Sequence, residues 1–275
     1  MVLGLPKRLL LGRQLRSEQL HETLLPKTLA LPVFCSDPLS SVAYATEETL
    51  LVLGLGGTVL LGLTWYIALA IAVLLIVVIA SYRQTTYAYP NGGGAYVVAT
   101  ENLGTNAGLV AASALLIDYV LTVSVSVVAG VAAITSAFPS LAEHAVAISI
   151  GAVVVLALVN LRGIKESGKV FAVPTYGFVL GIYVMFGFAI VRLVGGASVH
   201  AESAQWPLHQ AGNYTGLALV FLAMRSFASG CTALTGVEAI SNGVPAFRKP
   251  KSRNAANTLL MMGAMSVSMF VGITI

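Results

Sequence analysis

Long apolar runs alternate with short polar loops along this chain. Seven runs approach the length of a membrane helix: Leu31–Leu53, Val59–Ser81, Gly108–Phe138, Ala145–Leu161, Val170–Val194, Leu217–Gly243 and Ala255–Ile275. At a rise of ~1.5 Å per residue, each is about long enough for a hydrocarbon core of ~30 Å. They are continuously apolar, unlike the ~10-residue alternating segments of a membrane barrel. The pattern predicts an all-α polytopic membrane protein. Residues 1–30 form a basic cytoplasmic lead-in segment, and residues 31–275 form the transmembrane domain.

Two of the runs are interrupted where a membrane helix is ordinarily plain. The first contains Ser36-Asp37-Pro38-Leu39-Ser40-Ser41; the sixth contains Ser229-Gly230-Cys231-Thr232 and Thr235-Gly236-Val237-Glu238. A carboxylate at the bilayer centre costs about 2.5–3.5 kcal/mol on insertion scales. A proline inside a helix removes one hydrogen bond and crowds the preceding turn. Irregular backbone survives in a membrane only where it lines a cavity or is packed in protein. Both runs are therefore expected to be broken helices.

The two interruptions are weakly related. A shift of 195 residues lays Leu39-Ser40-Ser41-Val42 over Leu234-Thr235-Gly236-Val237, and Asp37 over Thr232. Five runs precede the sixth. An odd number of spans reverses the second copy, which predicts an inverted repeat with its binding site at the two breaks. A repeat of that length needs ten spans, so the sequence is expected to be the N-terminal part of a longer protein.

Basic residues set the orientation. The N-terminus carries Lys7, Arg8, Arg13, Arg16 and Lys27. Arg83, then Arg162, Lys165 and Lys169, then Arg248, Lys249, Lys251 and Arg253 fall on the same side; the opposite loops hold Arg192. The positive-inside rule puts the N-terminus in the cytoplasm. The N-terminus lacks the small-residue cleavage site of a signal peptide. With 57% apolar and 9% charged residues, the composition fits this class. Basic residues confined to short loops do not point to nucleic acid. Cys35 and Cys231 lie inside spans, so neither a disulfide framework nor a zinc site is indicated.

The candidate chemistry lies in three polar stripes. Asp37, Ser40, Ser41 and Tyr44 share one face of the first span. Asp118, Thr122 and Ser126, with Tyr119 adjacent, share a face of the third. Thr232, Thr235 and Glu238 are spaced by three in the sixth. The stripes are expected to face one another rather than lipid. The competing reading makes each Ser or Thr a local partner of its own backbone or glue between helices. Glu47 and Glu48, later in the first span, suit a solvated entrance. A fixed charge at Asp37 repels a substrate carboxylate and attracts a cation, and hydroxyls with freed carbonyls are oxygen ligands for it. Glu238 has no cationic partner nearby in sequence. Burial disfavours the charged form of a carboxylate, which suits a proton carrier. The turn Tyr89-Pro90-Asn91-Gly92-Gly93-Gly94-Ala95-Tyr96 is expected to be irregular and to permit close backbone approach.

The segment from Ser36 to Glu48 resembles the first span of KimA-type potassium–proton symporters, and the segment from Ser229 to Asn242 resembles their sixth. These symporters belong to the amino acid–polyamine–organocation (APC) superfamily, with the LeuT-like five-plus-five inverted-repeat fold. The resemblance implies that this chain is truncated after about seven helices. It implies potassium ligation through Asp37, Tyr44 and Thr235, and potassium or proton roles for Asp118, Tyr119, Thr122, Ser126 and Glu238. Ser40 and Thr232 join the binding set from the stripes. Pro38 stands where the family commonly has alanine, which bears on the break's geometry. A cytoplasmic C-terminal domain, through which such proteins form homodimers, lies beyond this sequence.

The resulting expectation is a plasma-membrane transporter importing potassium with protons by alternating access, with no organic cofactor. A proton-coupled amino acid or polyamine permease of the same superfamily is the alternative. A non-transporting scaffold gains nothing from acids embedded in three spans. No nucleophile–base set or phosphate loop indicates an enzyme.

Overall fold

The structure is a computed structural model that describes residues 24–161, 164–196, 208, 210–212 and 214–274; the side chains of 164–166 are not described. Most of the N-terminal basic segment, Arg162, the Lys165 side chain and Trp206 therefore lie outside the described residues.

The described chain is helical. Helix α1 is Lys27–Gly54, followed by a 3-10 turn at Thr58–Leu63 and α2 at Thr64–Ala88. A short helix α3, Gly94–Leu103, leads into α4, Thr105–Ala137. After a second 3-10 turn come α5, Ala145–Asn160, and α6, Ile164–Val194. Then follow α7, Leu217–Gly230, the single-turn α8, Ala239–Asn242, and α9, Lys251–Thr274. Among the described residues, six helical stretches are long and apolar enough to cross a membrane. They match the second to seventh predicted runs. Helix α1 has 28 residues, long enough to span, but carries Asp37, Glu47 and Glu48 and is not one of the six.

The expected break in the first run is not observed. Helix α1 continues unbroken through Pro32 and Pro38. A proline deletes one i→i−4 bond, not a whole turn, and neighbouring groups can re-satisfy what is freed. The sixth run does break. Its helix ends at Gly230, a 3-10 turn covers Cys231–Leu234, Thr235 is extended, and Gly236 takes φ +76° before α8 begins.

The described chain divides into two compact units. The first comprises the chain up to Asp37, Tyr82–Pro174 and Glu238–Leu259. Leu25 pairs with Phe247 as a parallel bridge, through Leu25 N–H to Ala246 O at 2.8 Å and Arg248 N–H to Leu25 O at 3.2 Å. Phe34 stacks on Phe247 with ring centroids 5.5 Å apart. Leu25, Leu31, Phe247 and Leu259 are fully buried there. These contacts tie the start of α1 to the chain that follows α8.

The second unit comprises Pro38–Ser81, Thr175–Val237 and Leu260–Ile275. Its core holds Leu39, Val42, Leu53, Ile71, Leu75, Val237, Met262 and Met269. Small polar groups join its helices: Ser226 donates to Thr49 O at 3.0 Å, Thr46 meets Thr274 at 3.0 Å, and Tyr183 meets Ser268 at 2.7 Å. Such bonds substitute for the hydrophobic drive that lipid does not supply between helices. Helices α4, α5 and α6 bury very little of their surface within the described chain.

Candidate functional site

The broken sixth span positions two sets of predicted residues, one in each unit. In the second unit the set is made of hydroxyls. Ser41 Oγ lies 2.8 Å from the Tyr44 phenol oxygen and 3.0 Å from Thr235 Oγ1. Ser41 and Tyr44 meet because they are one helical turn apart on α1. Thr235 reaches them because the chain has left the helix at that point. Thr235 also donates to Thr232 O at 2.8 Å. A hydroxyl has one proton and two lone pairs, so the Thr235 oxygen is left to accept from Ser41. Thr232 donates to Ser229 O at 2.9 Å, the local backbone bond that competes with a binding role.

A break of this kind leaves carbonyls at the end of α7 without the i+4 donors of a continuing helix. Hydroxyl and carbonyl oxygens gathered at an unwound segment are the usual ligand set for an alkali cation in a transporter. Ser41 shares the polar face of the first span but is not one of the expected binding residues. In the structure it supplies the α1 hydroxyl that joins Tyr44 to Thr235.

In the first unit the set is acidic. A cavity of about 270 Å³ is lined by Tyr82, Ala95, Ala111, Ala114, Leu115, Asp118 and Glu238. The alanines of α3 and α4 leave room, and the two carboxyls and the phenol supply its polar groups. Glu238 is 7% exposed, and its Oε1 is buried with no hydrogen-bond partner among the described residues. The Tyr119 phenol faces the same carboxyl. Asp118 and Asp37 are both close enough to act on the Glu238 charge. Asp118 and Tyr119 of the third stripe therefore meet Glu238 of the sixth, and Asp37 acts on the same carboxyl. Thr122 and Ser126 follow Asp118 up α4 at four-residue steps; Ser126 Oγ is buried and unpartnered among the described residues. No cluster of three or more His, Cys, Asp or Glu side chains able to hold a metal ion occurs among the described residues.

Two residues of this region were missed. Tyr82 ends a long apolar run, where an aromatic reads as an interfacial anchor. Asn242 donates from Nδ2 to the Tyr119 phenol oxygen at 2.9 Å, and in sequence it reads as a turn residue. The glycine turn accounts for the close packing on it. Gly92 and Gly94 have φ of +80° and +40°. A Cβ on Gly92 would stand 2.7 Å from Asn242 O, and one on Gly94 would overlap Asn242 Oδ1. Only glycine offers both that conformation and that clearance.

Residues 29–275 match the sequence model of a family described as amino acid permeases. The chain is also 46% identical, over 274 residues and 98% of its length, to the potassium transporter KimA of Bacillus subtilis (strain 168). It covers 44% of that relative and so spans less than half its length. Together with the apolar helices and the interrupted sixth span, the match places the chain plainly: it is a multi-pass membrane protein and belongs to the amino acid permease family.

Proposed function

We propose that the protein is a secondary active transporter that imports potassium together with protons by alternating access. The observation that carries this reading is the all-oxygen group of Ser41, Tyr44 and Thr235 at the break of the sixth span. Hydroxyl oxygens can ligate a cation, though they can also donate to a carboxylate. The fixed negative charge of Asp37 in the first span is what favours a cation over an amino acid zwitterion. The identity to a potassium transporter supports the same substrate.

In this proposal Tyr44 and Thr235 are potassium ligands and Asp37 supplies the balancing charge. Ser40 and Thr232 contribute to the same set, the latter through its backbone. Glu238 carries the coupled proton, with Asp118 and Tyr119 as the groups that exchange with it, and Thr122 and Ser126 extend the polar face of α4. The fold is the five-plus-five inverted repeat, carried in the plasma membrane with its N-terminus in the cytoplasm. The complete protein is a homodimer.

The test is uptake of rubidium, as a potassium congener, by cells carrying the complete protein and lacking other importers. Uptake should be saturable, should be competed by potassium, and should collapse with a protonophore. The second reading, an amino acid permease, is favoured by the family's description. Accumulation of a labelled amino acid without rubidium uptake would establish it instead.

A further inference from the structure

Asn242 sits where three features of the first unit meet. Its Nδ2 donates to the Tyr119 phenol oxygen at 2.9 Å, across 123 residues of chain. Its main-chain oxygen lies over Gly92 and its Oδ1 over Gly94. Its own N–H closes α8 onto Glu238 O at 3.0 Å. A residue that merely ends a helix bonds its own backbone a turn away. This amide reaches a side chain on a different helix.

That side chain faces the buried carboxyl of Glu238. A phenol has one proton and can accept as well as donate. With the amide donating to its oxygen, the Tyr119 proton is left to point elsewhere, and the carboxyl is beside it. The other titratable groups around the pair are Asp37 on α1, Tyr82 on α2 and Asp118 on α4. Unlike these, an amide does not titrate, so its donor persists whatever the state of the acids.

We propose that Asn242 is a positioning residue that directs the Tyr119 hydroxyl proton toward the Glu238 carboxyl, and that the glycine turn at Gly92–Gly94 holds Asn242 in the pose to do so. The proposal rests on the reading of Glu238 as the proton carrier. It makes the turn between α2 and α3 part of the coupling machinery, not a passive connection.

The experiment places fluorotyrosine at position 119 of the complete protein and records its fluorine resonance without substrate. Asn242→Leu keeps the shape and removes the donor. Gly94→Ala leaves the amide intact and displaces it, which guards against misfolding of the first variant. Both should move the resonance. In uptake, Asn242→Leu should change the pH of half-maximal transport and lower kcat/KM about three- to tenfold, the scale of one hydrogen bond. The change in pH profile should vanish in a Tyr119→Phe background. An unmoved resonance in both variants, or a pH effect that survives Tyr119→Phe, would overturn the proposal. Absence of any rubidium uptake by the wild type would instead defeat the functional reading, while the resonance still decided whether Asn242 sets the phenol.

Discussion

Glu238 and Thr235 stand three residues apart at the same break and have different roles in the proposed function. Glu238 has one buried carboxyl oxygen without a partner among the described residues. Replacing it by glutamine keeps the size and removes the proton site. Glu238→Gln should flatten the pH dependence of uptake while the protein still assembles, as read from uptake across pH 5.5–8 at fixed membrane potential, a range of about 2.5 units chosen to span the usual acid–base switch region. An unaltered pH profile would pass the role to Asp118. Thr235, by contrast, offers an oxygen held by Ser41 and Thr232. Thr235→Val keeps the shape and removes that oxygen. It should raise the KM for rubidium by about three- to tenfold, the scale of one polar contact, with little change in pH dependence. The three acids were legible in the sequence because charge in an apolar run is costly and so conspicuous. Tyr82 and Asn242 were not, because an aromatic at a helix end and an amide beside a glycine are what any interface or turn contains.

At the scale of elements, the interruption of the sixth span was legible and the first was misjudged. Gly230 and Gly236 flank a stretch of small and β-branched residues, and there the helix gives way. Around Pro38 the helix is packed in protein, with Cys35, Leu39, Ser41 and Val42 buried, and the lost bond alone does not unwind α1. The glycine turn was legible as irregular, but its partner was not, since nothing local in sequence ties Gly92 to Asn242. A side chain at Gly92 has to accept a positive φ and meet both a main-chain oxygen and Pro245. Gly92→Ala should therefore destabilise the protein by about 1–3 kcal/mol, seen as a lower midpoint in detergent thermal unfolding. Gly62, which meets nothing within 4 Å of an added Cβ, is the control and should tolerate alanine.

For the whole molecule, the apolar runs from the second span onward each match a helical stretch. The largest boundary differences are where the second run stops at Ser81 but its helix ends at Ala88, and where the fifth starts at Val170 but its helix starts at Ile164. The first is harder to read because Asp37, Glu47 and Glu48 dilute the apolar signal by which spans are recognised. Orientation rests on charge asymmetry alone. A cysteine introduced at Arg253 should react only from the cytoplasmic side, and one at His144 only from outside. Labelling both from the same face of intact cells would break the odd span count on which the inverted repeat depends.

In the proposed function a cation, not an amino acid, is the cargo, and Asp37 balances its charge. The most direct measurement is growth at limiting potassium of cells lacking other importers, carrying the complete protein or its Asp37→Asn variant. Asparagine keeps an oxygen in place and removes the charge. The wild type should restore growth and the variant should not, though both reach the membrane. Restoration by both would remove Asp37 from the mechanism. Failure of the wild type to restore growth, with uptake of a labelled amino acid that the variant retains, would contradict the account and establish an amino acid permease.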